Sequence, residues 1–192
     1  MAQISIERRE AICQIVYYGP AMSGKTTSLV TLHAKAPDKA KSDLTSISTS
    51  GDRTLYFDYF ALDLGQIKGL RTKFSLYTVP GQVAYNQTRK YVLTGVDGVV
   101  FVADSQADKM DENIESLDNL EDNLLEMNLK LADLPFVIQW NKRDLPNILD
   151  VEVLEEKMNP RKVPSFPTVA STGEGVFPAL KICTKQVLER IR

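Results

Sequence analysis

Gly19-Pro20-Ala21-Met22-Ser23-Gly24-Lys25-Thr26 fits G-x-x-x-x-G-K-[ST] at each fixed position. The run before it, Ala11-Ile12-Cys13-Gln14-Ile15-Val16-Tyr17-Tyr18, is apolar and reads as a buried strand. The segment after it, Thr27 to Leu32, can open a helix. Strand, glycine loop and helix in that order build a phosphate cradle: backbone N–H groups wrap the anion, and the positive end of the helix dipole faces it. Gly19, Ala21, Met22, Ser23, Gly24 and Thr27 are the candidate backbone contacts. Lys25 is expected to reach the β and γ phosphates, and the Thr26 hydroxyl to bind Mg²⁺. A glycine turn followed by a chance Lys-Thr would not account for the flanking strand and helix.

Outward from this loop the chain alternates strands and helices. Thr54-Leu55-Tyr56-Phe57-Asp58-Tyr59-Phe60 is β-branched and aromatic, which predicts a strand with aromatics on both faces. One set would line the core; the other would be covered by a neighbouring segment or offered to a partner. Gly65 to Gly69 reads as a turn into a strand over Lys73 to Thr78. Val99 to Ala103 is a continuous apolar run, typical of a strand buried on both faces, and Phe136 to Trp140 reads as another buried strand. Ile114, Leu117, Leu120, Leu124 and Met127 recur at helical spacing in a charged segment, an amphipathic helix. Thr168-Val169-Ala170 reads as a short strand, and Val176 to Ile191 as a closing helix. The pattern predicts a doubly wound, mostly parallel α/β sheet flanked by helices, in a single domain over residues 1–192. In that architecture ligands sit at the carboxyl ends of the strands, where each motif in this chain falls.

Composition narrows the function classes. A net charge of −2 gives no electrostatic case for nucleic acid or an anionic membrane surface. Cys13 and Cys183 lie in apolar runs and read as small core residues rather than a disulfide or metal pair. No apolar stretch is long enough to span a bilayer. No secretory signal, myristoylation glycine or prenylation cysteine is evident, so the expectation is a cytoplasmic protein without its own membrane anchor.

Asn141-Lys142-Arg143-Asp144 follows the Phe136 to Trp140 strand directly. A carboxylate there can accept hydrogen bonds from guanine N1–H and its exocyclic amine. Adenine offers no such pair, and an unpaired Asp144 would be costly on burial. Asn141 can tie this loop to the phosphate loop, and the Lys142 stem can pack on base or ribose. Ala170-Ser171-Thr172-Gly173, after the last short strand, would contact the guanine carbonyl through Ser171 and Thr172.

These residues resemble a known family. Thr78-Val79-Pro80-Gly81-Gln82 stands where Ras-type GTPases carry D-x-x-G-Q, with Thr in place of Asp. Together with Asp52-Arg53-Thr54 and Gly98 to Gln106, the chain is similar to the bacterial MglA family of Ras-like small GTPases over nearly its whole length. The resemblance implies a P-loop G-domain fold and a GTP/GDP switch that controls cell polarity and gliding motility. It implies Thr26 and Thr54 on Mg²⁺, Gly81 at the γ-phosphate, and Gln82 orienting the attacking water. It also implies Arg53 as an arginine finger supplied in cis, and an MglB-like Roadblock-fold homodimer as activating protein. The protein itself is expected to be monomeric, to meet polarity and motility effectors, and to be recruited to cell poles by partners. Asp104 is expected to cap the helix that follows it.

Two departures bear on rate. Thr78 supplies no charge, which puts the metal site in question. Ala21 stands where Ras-like proteins have Gly, its methyl beside the γ-phosphate, so intrinsic hydrolysis is expected to be slow unless the loop has relaxed around it. The alternatives are a GTP-dependent scaffold with negligible hydrolysis and a nucleoside kinase. Asn141 to Asp144 argue against the kinase.

Overall fold

The computed structural model describes residues 3–5, 9–48 and 56–191. Arg53 and Thr54, with Asp52 beside them, lie outside the described residues.

The strands are β1 (Gln3–Ser5), β2 (Glu10–Tyr18), β3 (Thr45–Ser48), β4 (Tyr56–Ile67), β5 (Leu70–Thr78), β6 (Gly98–Asp104), β7 (Phe136–Asn141) and β8 (Ser165–Pro167). The helices are α1 (Lys25–Lys35), α2 (Asn86–Leu93), α3 (Met110–Glu126), α4 (Val151–Met158) and α5 (Val176–Arg190). The described strands form one sheet in the order β3-β4-β5-β2-β6-β7-β8, with β1 added antiparallel to the start of β2. From β5 to β8 the pairing is parallel; β4 and β3 extend the sheet antiparallel at one side.

Strand alternation divides the core in two. Cys13, Ile15 and Tyr17 of β2 face the side covered by α1 and α5, with Leu29, Val102, Val137, Cys183 and Val187. Val16 and Tyr18 face the other side, with Val99, Phe101, Leu120, Leu124 and Leu154 of the opposing elements. β6 and β7 are buried at each residue, which is why Val99 to Ala103 reads as an apolar run, while Gln139 of β7 is a buried polar exception. Cys13 and Cys183 are free and buried.

Several boundaries differ from the expectation. β4 runs on to Ile67, through the segment read as a turn, because a register shift between Asp63 and Gln66 absorbs Gly65 at φ 75. The turn proper is at Lys68-Gly69. Of the β4 aromatics, Phe57 joins one core with Tyr59 packed against it and Phe60 joins the other, so neighbouring segments cover both faces there, while β3 pairs along the strand's outer edge. The last strand is Ser165–Pro167; Val169 only bridges Glu174. Helix α4 and strands β1 and β3 carry too few periodic residues to stand out in the sequence.

Candidate functional site

The loops after β2, β5, β6 and β7 meet at one end of the sheet. Gly24 (φ 104) ends the phosphate loop at the first turn of α1. A side chain there is excluded: a Cβ on Gly24 would lie 2.1 Å from Asn141 Nδ2. That amide donates to Ser23 O at 2.7 Å. Asn141 Oδ1 in turn accepts from Ala170 N at 2.9 Å and from Thr168 Oγ1 at 3.1 Å. Thr31 of α1 closes the ring through its hydroxyl, which donates to Ala170 O at 2.7 Å. One buried asparagine thus joins the phosphate loop to both loops expected to hold a base.

Around it stand the other candidate base contacts. Asp144 is exposed, and no hydrogen bond or ion pair engages its carboxylate among the described residues. Ser171 and Thr172 are exposed on the loop after β8. Lys142 sits in the left-handed region at φ 67, a strained setting for a non-glycine residue. Its ammonium lies 2.5 Å from Asp104 Oδ2. Asp104 is 1% exposed and also accepts from Gln106 N, so it anchors the Lys142 head besides closing its own turn. Trp140 precedes the Asn141 to Asp144 loop, and its carbonyl accepts from Thr168 N at 2.9 Å. It lies in the core, its Nε1–H donating to Glu155 of α4 at 2.8 Å.

On the phosphate side, Lys25 is 6% exposed and donates to Gly19 O at 3.0 Å and Pro20 O at 2.5 Å. Burial, then the nearby Arg89 guanidinium, lower its pKa to about 7, and Asp58 opposes the shift. A cavity of about 610 Å³ is lined by Lys25, Thr26, Thr27, Thr78, Gly81 and Gln82 among others. Gln82 is exposed. Gly81 lies against the phosphate loop: a Cβ there would sit 2.3 Å from the Ala21 Cα and N.

Two residues that sequence reasoning missed organise this side. Asp58 of β4 is 2% exposed, and its backbone N–H donates to Thr78 Oγ1 at 2.9 Å. Its Oδ2 accepts from Thr26 Oγ1 at 2.6 Å and from Thr78 Oγ1 at 3.0 Å, and its Oδ1 accepts from Ser46 Oγ at 2.7 Å. The charge that Thr78 lacks is therefore present, carried by the neighbouring strand and delivered to the same threonine hydroxyl. Nothing in the aromatic run of β4 marked Asp58 except that it is the lone acid there. Arg89 of α2 is the second. It is 2% exposed and donates to Pro80 O at 2.9 Å, Gly81 O at 2.6 Å and Asn119 Oδ1 at 2.6 Å. Its guanidinium also lies 5.6 Å from the Tyr18 ring centroid. The Pro80-Gly81 turn is thereby fastened to α3 through one side chain.

Comparison with known proteins agrees with this architecture. The ADP-ribosylation factor family model matches residues 2–187. The chain is 51% identical over 192 residues to the mutual gliding-motility protein MglA of Myxococcus xanthus (strain DK1622), covering 100% of this chain and 98% of that protein. A strand-loop-helix phosphate cradle, an Asn-Lys-Arg-Asp loop tied to it by Asn141, and a full-length match to the family together make this chain a member of the ADP-ribosylation factor family of small GTPases, a GTP-binding and GTP-hydrolysing switch.

Proposed function

We propose that the protein is an MglA-like switch that controls bacterial polarity and gliding motility by binding effectors in its GTP state. The observation that carries this reading is that Pro80-Gly81-Gln82 shares one cavity with Lys25 and Thr26 while its backbone touches Ala21. A γ-phosphate arriving there must meet the Gly81 backbone, so the loop's position depends on which nucleotide is bound.

In this reading Asp144 selects guanine, with Ser171 and Thr172 at the base carbonyl. Lys25 carries the β and γ phosphate charge, and Gln82 orients the attacking water. Mg²⁺ would supply charge neutralisation at the phosphates. The donor set fits a hard cation: the Thr26 hydroxyl, with the Asp58 carboxylate behind it, offers oxygen ligands only. Thr54 completes the metal set and Arg53 supplies charge in cis, both by resemblance. An MglB-like Roadblock-fold dimer would act by positioning these residues, and the same partners would bring the protein to the poles.

Ala21, its backbone close against Gly81, favours slow intrinsic hydrolysis. Single-turnover [γ-³²P]GTP hydrolysis with Mg²⁺, alone and with a Roadblock-fold partner, tests the reading. Slow release that the partner accelerates is expected, as is faster release for Ala21→Gly. Tight guanine binding with no release in either condition would instead identify a GTP-dependent scaffold, and loss of the Ala21→Gly effect would remove Ala21 as the cause.

A further inference from the structure

Next to the phosphate site lies a second cavity of about 720 Å³, between the Pro20-Ala21 and Gly81-Gln82 backbones and one side of α3. Its α3 wall is unusual. That helix, MDENIESLDNLEDNLLE, holds seven acidic residues and no lysine or arginine, in a chain whose net charge is only −2. Glu112 pairs with Lys109, Glu121 with Arg161 and Glu126 with Lys90. Asp111, Glu115, Asp118 and Asp122 pair with no cation among the described residues, and all four line the cavity. Their spacing of four, three and four residues places them in one stripe along α3, about 16 Å long at ~1.5 Å per residue. Like charges at this spacing destabilise a helix; the helix N-terminus offsets Asp111 in the first turn, and no cation of the described residues pairs with the other three.

Two other observations point to a ligand. Ser116 lines the same cavity, is 5% exposed, and its hydroxyl has no hydrogen-bond partner among the described residues. Ile114, also lining it, is 37% exposed and has Asp111 and Asp118 as its helix neighbours at i−3 and i+4. An apolar spot flanked by carboxylates suits a side chain with an aliphatic stem and a cationic head. Arg89 does not meet this demand, because its guanidinium is engaged by Pro80 O, Gly81 O and Asn119.

We infer that this cleft docks a basic helix of a partner protein, with arginines or lysines at spacing that matches the stripe. Its stems pack on Ile114, and Ser116 hydrogen-bonds the partner. The opposite wall is the Gly81-Gln82 turn, so the cleft's shape follows the bound nucleotide. That nucleotide dependence rests on the switch proposed above; the docking itself does not.

The test uses the full-length protein and a fluorescein-labelled helical peptide of Ala and Gln with arginines at i, i+4, i+7 and i+11. Anisotropy is read with GDP and with a non-hydrolysable GTP analogue bound, and ¹H–¹⁵N shift mapping locates the contact. The expected result is saturable binding with shifts at Ser116 and along α3, weakened at least tenfold in Asp111→Asn/Asp118→Asn/Asp122→Asn. A Glu-for-Arg peptide should not bind, and Glu152→Gln/Glu156→Gln on α4 should bind like the parent. Binding that the triple variant leaves unchanged, shifts confined to other faces, or no saturable binding would each overturn the inference. Nucleotide affinity measured on the same samples isolates the switch reading: peptide binding that is equal in both nucleotide states removes the coupling and keeps the docking.

Discussion

The loops proposed to face the base and the turn proposed to sense the γ-phosphate sit at the same end of the sheet but are secured in different ways. Around the base, Asn141 alone engages three backbone or side-chain groups on two other loops, and Thr31 adds a fourth contact. These bonds close on one another, so no loop can shift without breaking several. The Pro80-Gly81 turn has backbone carbonyls held by Arg89 and a glycine packed against Ala21. Its anchor is one side chain on a helix next door. A part that must recognise the same base in both nucleotide states is over-determined; a part that must change with the γ-phosphate hangs on a single clamp.

Substitutions can break this contrast at either end. Asp144→Ala should strike recognition alone: its carboxylate has no partner among the described residues, so the melting temperature should hold while guanine-nucleotide affinity falls on the order of 10²–10³-fold. Competition of GTP and ATP against a fluorescent guanine nucleotide reads this directly, and a matching drop in melting temperature would show that the base loops are not independent of Asp144. Arg89→Ala is expected to do the reverse. It strands the Pro80 and Gly81 carbonyls and Asn119 in a buried place, a loss of about 3 kcal/mol in chemical denaturation. Hydrolysis should slow while GDP affinity stays near that of the parent. Intact hydrolysis in a destabilised variant would demote Arg89 to a packing role.

Proton linkage sharpens the contrast further. Lys25 has a pKa near 7 without phosphate because burial and Arg89 disfavour its charge. A phosphate restores the charge, so nucleotide binding takes up a proton above that pH. Affinity for GDP should therefore be flat below pH 7 and fall by up to about tenfold per unit above it. The sign for folding is opposite: between pH 7 and the unfolded lysine range the unfolded chain binds more protons, so the nucleotide-free protein gains stability as pH rises. Calorimetry in buffers of different ionisation enthalpy measures the uptake, and none at pH 8 would mean Lys25 is already charged. The smallest expected effect is at the thiols. Burial pushes Cys13 and Cys183 up to about 12, so a disulfide-exchange reagent should label neither until the protein is unfolded.

Much of the fold was legible because β6 and β7 are buried on both faces, and burial on both faces leaves mostly apolar residues to read. The site's loops were legible for a different reason: Gly24, Lys25, Thr26 and Asn141 each answer a demand made within a few residues of themselves. Asp58 and Arg89 were not, since their partners come from remote segments. Asp58 serves Thr26, 32 residues away, and Thr78, 20 residues away, and only strand pairing brings them together. Arg89 looked like one more charged residue on a short helix until packing turned it inward. For the aromatics of β4 the sequence left two alternatives, cover or a partner, and the structure takes cover for Phe57 and Phe60, because segments remote in the chain pack on each face.

The Gly24 and Asn141 contact carries a consequence for the protein's mutational history. Because the Asn141 amide fills the place a Cβ at position 24 would need, each residue sets what the other can become. A larger residue at 24 evicts the amide, and once the amide is gone a second loss at 141 has little left to remove. The two positions, 117 apart in the chain, should therefore show strong epistasis, their double variant far less impaired than the sum of the singles. A change at either position is therefore expected to be tolerated better when the other changes with it.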